Sequence, residues 1–188
     1  MSNRNIILAS KSPRRVELMK MAGFTFDVKT KNVDEIHPDG VDVYSVPLYL
    51  AQKKAEAFAN EISPSHIVIG ADTVVILNGK IYEKPADRTE AIDMLSKLSG
   101  NMHEVVTGVH IYSAGKQVSF SDKTSVYFNS LTNEEIAYYV DTYKPYDKAG
   151  SYACQEWIGA VGIQRFEGDF FNVMGLPVNK VYAALKTF

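Results

Sequence analysis

Cysteine is nearly absent from this chain: Cys154 stands alone among 188 residues. One cysteine forms no internal disulfide, and that usage fits a reducing compartment. No apolar stretch approaches the roughly 20 residues that a membrane span needs. The first residues show neither an apolar signal core nor a small-residue cleavage site, so no secretory leader is expected. The cytoplasm is the expected compartment. An excess of one charge is also lacking. The formal net charge of −2 gives no support to a nucleic-acid or anionic-membrane surface. No repeat, low-complexity tract or linker is visible. Several catalytic signatures are missing too. Without GxxxxGK[ST] the chain is no P-loop ATPase, and it has neither a GxSxG elbow nor an HExxH pair. No Cys/His cluster has zinc spacing, and the lone cysteine has no partner histidine nearby in sequence.

What is present reads as one ordinary globular domain over residues 1–188, with room for two lobes. Its composition, 46% hydrophobic and 22% charged, is typical of that class. Strand-like and helix-like runs alternate. Residues 5–9 read as a buried strand, 13–22 as a helix and 24–30 as a second strand. A polar stretch, 32–42, holds Asp34-Glu35. Pro47 opens a helix through Asn60 whose apolar face is Leu48, Ala51, Ala55, Phe58 and Ala59. The apolar run 66–77 breaks at Asn78-Gly79 and resumes at Lys80, a strong hairpin signal. Asp87-Arg88-Thr89-Glu90 predicts a capped helix ending near Gly100. Residues 104–112 and 117–128 read as strands, and Thr132 to Glu135 caps a helix through Val140. Residues 157–174 look strand-like, and Pro177 starts a last helix. This order predicts an α/β fold with a mixed or mostly antiparallel twisted sheet and flanking helices.

Four places carry candidate chemistry. In Ser10-Lys11-Ser12-Pro13-Arg14-Arg15, Ser12 reads as N-cap and Pro13 as the first helical residue. Arg14 and Arg15 then occupy the positive end of the helix dipole, where cations are disfavoured. A bound phosphate would reverse that sign, with Ser10 and Ser12 adding hydroxyls. The alternative is an exposed arginine pair on a surface turn. On the phosphate reading, Arg15→Ala would slightly stabilise the anion-free protein. Asp72 lies inside an apolar run, where a carboxylate is costly unless paired or used. It either caps a local bend or serves chemistry. Lys84 follows the hairpin, which should return it near Gly70–Thr73; it and Lys54 are otherwise ordinary surface lysines. Gln155 lies among small and apolar residues and is expected to need hydrogen-bond partners. His103 reads as a helix-end or strand-start histidine.

In order, these segments resemble the Maf family of nucleoside triphosphate pyrophosphatases. The matching pieces begin with Leu8 to Arg15, Val33-Asp34-Glu35 and Leu50 to Ala55. Gly70-Ala71-Asp72-Thr73, Lys84-Pro85, Leu98-Ser99-Gly100, His103 and Thr107-Gly108-Val109 follow. Asp147-Lys148-Ala149-Gly150, Gln155 and Asn172 to Pro177 complete the set. The resemblance implies two lobes around a cleft, similar to inosine-triphosphate pyrophosphatases. It implies cleavage between the α and β phosphates and a divalent metal, Mg²⁺ or Mn²⁺. Asp72 matches the acceptor of the water proton. Arg15, Lys54 and Lys84 match cationic phosphate binders, and Glu35 an acidic neighbour. Arg14, Thr73 and Gln155 match the subgroup acting on dTTP and UTP, not the 7-methyl-GTP group with Trp, Gln and Glu there. Glu156 departs from the glycine found in many members. Because Mg²⁺ prefers carboxylate and phosphate oxygens, Asp72 and Glu35 are its candidate ligands.

The leading expectation is therefore a hydrolase limiting non-standard nucleotides, with a nucleoside triphosphate as partner and no nucleic acid or membrane. A homodimer is left open. The rivals are a non-catalytic regulator of septum formation and a nucleotide-binding module without turnover. Loss of Asp72 or of the cationic set would favour the regulator, and a defective acidic site the binding module; Asp72 and the cations are all present.

Overall fold

The computed structural model describes residues 5–38 and 40–188. Asp39, within the expected polar stretch, lies outside the described residues. The first apolar run forms strand β1 (Asn5–Leu8). Ser12 is the extended N-cap of helix α1 (Pro13–Met21), with proline opening the first turn. Strand β2 (Phe26–Val28) is shorter than the expected 24–30. Helix α2 spans Val46–Glu56 and buries Val46, Pro47, Leu50, Ala51 and Ala55. The expected apolar face is thus corrected. Leu50 takes the place of Leu48, which is half-buried, and Ala59 is exposed beyond the helix end.

Strand β3 (His66–Leu77) is long and leads into β4 (Lys80–Tyr82). Asn78 and Gly79 adopt φ of 52° and 73°, the left-handed pair that a two-residue hairpin turn requires. The Asp87 carboxylate accepts from the Glu90 amide at 2.9 Å and caps helix α3 (Arg88–Leu98). Strands β5 (Met102–Ser113) and β6 (Lys116–Phe128) flank Ala114-Gly115. Thr132 and Glu135 close a full capping box on helix α4 (Asn133–Tyr143).

The strand expected over 157–174 is corrected to helix α5 (Trp157–Gly162), strand β7 (Ile163–Glu167) and helix α6 (Phe170–Val173). Gly159 explains the first of these. A Cβ there would stand 1.8 Å from the Cys154 carbonyl oxygen, so glycine lets the chain coil back on itself. Asp169 starts the second helix by accepting from the Phe171 amide at 2.9 Å. Helix α7 (Val178–Leu185) follows Pro177.

The seven strands form one mixed sheet in the order β2-β1-β3-β5-β6-β7, with β4 also paired to β3. Strand β1 runs parallel to both neighbours, in the registers Leu8↔Val28 and Leu8↔Ile69. The β3–β4 and β6–β7 pairs are antiparallel. The chain divides into two compact units. The first holds the chain up to Thr73 together with Thr107–Asp122 and Gly175–Phe188. The second holds Val74–Val106 and Lys123–Met174.

In the first unit, Ile7, Ala9, Ala55, Phe58 and Val68 form an apolar cluster. Two glycines let α2 press onto the sheet. A Cβ on Gly70 would stand 2.1 Å from the Ala51 carbonyl oxygen, and one on Gly108 2.2 Å from the Leu48 nitrogen. In the second unit, Leu95, Leu98, Ile136, Tyr139 and Val140 are buried on α3 and α4. His103, near the start of β5, lies edge-on to Phe128 and Tyr152 and shares a 2.7 Å hydrogen bond with the Tyr152 hydroxyl. Burial lowers its pKa to about 3, so it is a neutral core histidine at ordinary pH.

Gly70→Ala is expected to destabilise the protein by at least about 3 kcal/mol, because the added methyl meets backbone that no rotamer change can move aside. Urea unfolding measures this. A loss under about 1 kcal/mol would contradict the close helix–strand contact.

Candidate active site

Strand β1 ends at Leu8, and the Ala9 amide still donates to the Ile69 carbonyl at 2.8 Å. Beyond that point the two chains part. One leads through Ser10 and Ser12 into α1. The other continues as Gly70-Ala71-Asp72-Thr73. Candidate polar residues therefore gather at the carboxyl end of a parallel strand, a usual place for sites in α/β sheets.

The first group centres on Lys54 of α2. Its ammonium lies 2.6 Å from Asp72 Oδ1 and 2.7 Å from Glu35 Oε1. The Lys54 and Asp72 side chains are 17% and 14% exposed, while Glu35 is 54% exposed. An embedded carboxylate is thus paired, which removes the reading of Asp72 as a mere bend cap. Gly70 and Asp72 are two residues apart on a strand, so they face the same side. The helix that presses on Gly70 is the one that carries Lys54. Close packing and the ion pair therefore share one origin.

The second group centres on Arg15. Its Nε donates to the Gly175 carbonyl at 2.7 Å. Its Nη1 donates to the Ala71 carbonyl at 2.9 Å and to Ser10 Oγ at 3.1 Å. Its Nη2 donates to Thr73 Oγ1 at 3.0 Å. Burial lowers the Arg15 pKa, and Asp72 acts against that shift. The Thr73 hydroxyl also meets Thr107 Oγ1 at 2.9 Å. Ser10 Oγ accepts from the Ser12 amide at 3.2 Å, so the first serine organises the turn before the helix. Ser12 itself makes no side-chain cap bond, and Arg14 beside it is half-buried.

Lys84 and Gln155 belong to the second unit. Lys84 is exposed and lines a cavity of about 280 Å³. That cavity mixes Lys80, Lys84 and Lys97 with Glu83, Glu90 and Asp93, so it is no purely cationic pocket. Gln155 is exposed, although its neighbours Ala153 and Cys154 are buried. The residue is open to solvent, and its Oε1 lies 3.9 Å from the Cys154 sulfur. Glu156 turns inward instead. It accepts from the Tyr139 hydroxyl and lies 3.5 Å from the Lys148 ammonium. The same Tyr139 oxygen accepts from the Ala153 amide at 3.1 Å. Sequence reasoning missed Tyr139, Lys148 and Thr107 as site-shaping residues. Lys148 and Thr107 were visible as motif letters, but nothing in their spacing disclosed a partner.

Among the described residues, no three His, Cys, Asp or Glu side chains gather to hold a metal. Asp72 and Glu35 do supply two hard oxygen donors converging on one ammonium. That set suits Mg²⁺, which commonly takes one or two carboxylates and completes its shell with phosphate oxygens and water.

Arg15→Ala is expected to lower stability by about 2–3 kcal/mol, since several acceptors lose a charged donor. This reverses the slight gain expected from the helix dipole alone. Thermal unfolding of the ligand-free protein decides between the two signs.

The family described as Maf-like protein matches residues 5–188. The dTTP/UTP pyrophosphatase of Phocaeicola vulgatus is 49% identical, covering 96% of this chain and 94% of its own length. Those of Bacteroides fragilis and Cytophaga hutchinsonii are 50% and 48% identical, over 96% and 98% of this chain and 94% and 84% of theirs. The Staphylococcus aureus Ham1 protein shares the fold, with a TM-score of 0.55 at 19% identity over 98% of this chain and 99% of its own. With a family match running almost from end to end and relatives near half-identity, this chain belongs to the Maf family.

Proposed function

We propose that this protein hydrolyses nucleoside triphosphates, dTTP and UTP before others, to the monophosphate and pyrophosphate. The observation that carries the reading is the Lys54 ammonium held between Asp72 and Glu35 where β1 ends. The names of the relatives supply the substrate class. Asp72 accepts a proton from the water that attacks the α-phosphorus, and pyrophosphate leaves. Lys54 keeps that carboxylate oriented and offsets phosphate charge as it develops. Arg14 and Lys84 add cations, and Ser10 and Ser12 lie at the phosphate-facing helix start. Asp72 and Glu35 would hold a divalent cation, which supplies charge neutralisation when bound. Free nucleotides suit a chain of net charge −2 better than nucleic acid does, and we assign the reaction to the cytoplasm. No helix among the described residues is long and apolar enough to cross a membrane.

The direct test is pyrophosphate release from a panel of triphosphates with Mg²⁺ or Mn²⁺. Asp72→Asn should abolish turnover, a loss of at least about a hundredfold or 2.7 kcal/mol in barrier, while the melting curve stays cooperative. Turnover within about tenfold of wild type removes Asp72 as proton acceptor.

Base choice gives a second test. The exposed Gln155 amide offers one donor and one acceptor, which match the N3–H and O4 or O2 edge of uracil and thymine. Catalytic efficiency should rank dTTP and UTP above ATP, GTP and 7-methyl-GTP. Gln155→Glu should erode the preference, because it replaces a donor by an acceptor. A purine triphosphate ranking first would refute the pyrimidine assignment and leave hydrolysis itself standing.

A further inference from the structure

We propose that Arg15 is a positioning residue that fixes the strand segment presenting Asp72, rather than a binder of the triphosphate; this rests on the hydrolytic reading of Asp72. Its guanidinium grips the residues on both sides of that aspartate. One nitrogen holds the Ala71 carbonyl at 2.9 Å, and another holds the Thr73 hydroxyl at 3.0 Å. The remaining contacts tie the grip to Ser10 at 3.1 Å and to the Gly175 carbonyl at 2.7 Å. These bonds consume donors that a phosphate would need.

Strand geometry gives a second argument. Adjacent side chains on a strand leave opposite faces of the sheet. Asp72 faces Lys54, so Thr73 and the guanidinium on it serve the other face. Arg15 therefore acts through the backbone of β3. Thr107 extends the grip. It is fully buried and meets the Thr73 hydroxyl at 2.9 Å, out of reach of any nucleotide in solution. The consequence for rate follows from the short Lys54–Asp72 distance of 2.6 Å. A misplacement of about 1 Å can cost about a hundredfold in turnover.

Arg15→Lys separates charge from geometry. It keeps the cation and loses the planar fork that spans several acceptors. Two measurements are made on the full-length protein. Amide hydrogen exchange of the ligand-free protein should speed up about tenfold or more at Asp72–Val74, while β1 keeps its protection and Arg14→Ala leaves both unchanged. With UTP, kcat should fall about a hundredfold and KM should stay within about twofold. If Arg15→Lys melts below the assay temperature, Thr107→Val is read instead, with Thr107→Ser expected to restore both values. Unchanged exchange at Asp72–Val74 overturns the proposal whatever the activity. So does a raised KM with kcat preserved, which would place Arg15 on the phosphates. A wild-type protein that releases no pyrophosphate from any triphosphate would refute the hydrolytic reading, and the exchange comparison would still decide the grip.

Discussion

The approach of α2 to β3 is the constraint on which the rest of the first unit depends. At Gly70 the helix backbone comes so close that a methyl group would overlap the Ala51 carbonyl. Ala51 and Ala55 continue the small surface on the helix side. Packing of this kind leaves little freedom of slide or rotation. Lys54 precedes one of these alanines, and Asp72 follows the glycine by two strand positions. The ion pair is therefore a by-product of backbone contact, not a meeting of two flexible side chains.

β3 then divides its labour between its two faces. One face presents Asp72 to the Lys54 ammonium and, through it, to Glu35. The other presents Thr73 to Arg15 and Thr107. The chemistry assigned to one side depends on polar bonds made on the other. Gly108 repeats on β5 the close contact that Gly70 makes on β3. The same helix is thus seated at two points, and its register on the sheet is fixed.

Local signals were the legible part of this sequence. Pro13 after Ser12, Asn78-Gly79, Asp87 with Glu90, and Thr132 with Glu135 all act through neighbours within four positions. They appear in the structure as read. Residues 157–174 were misread because their apolar residues alternate only in part, and the deciding contact is that of Gly159 with Cys154. At the site, Asp72 stood out because a charge interrupts an apolar run. Arg15 did not disclose its structural bonds, because Ala71 and Gly175 offer only carbonyl oxygens, which every residue has. The helix dipole alone leaves out the bonds that Arg15 makes to three acceptors remote in sequence, Gly175, Ala71 and Thr73. Gln155 shows a related limit of local reading, being exposed although its neighbours Ala153 and Cys154 are buried.

Glu156 stands where the resemblance to the Maf family leads one to expect glycine. Here its carboxylate serves a buried tyrosine and a buried lysine at once. Deleting it would take an acceptor from the Tyr139 hydroxyl and leave Lys148 to pair with the exposed Asp147, 2.8 Å away. The glycine and glutamate forms are therefore not interchangeable one letter at a time. A lineage moving between them has to alter Tyr139 or Lys148 in step, or pass through a less stable intermediate sequence. The identity of a single residue beside Gln155 thus limits which histories of substitution are open to the surrounding positions.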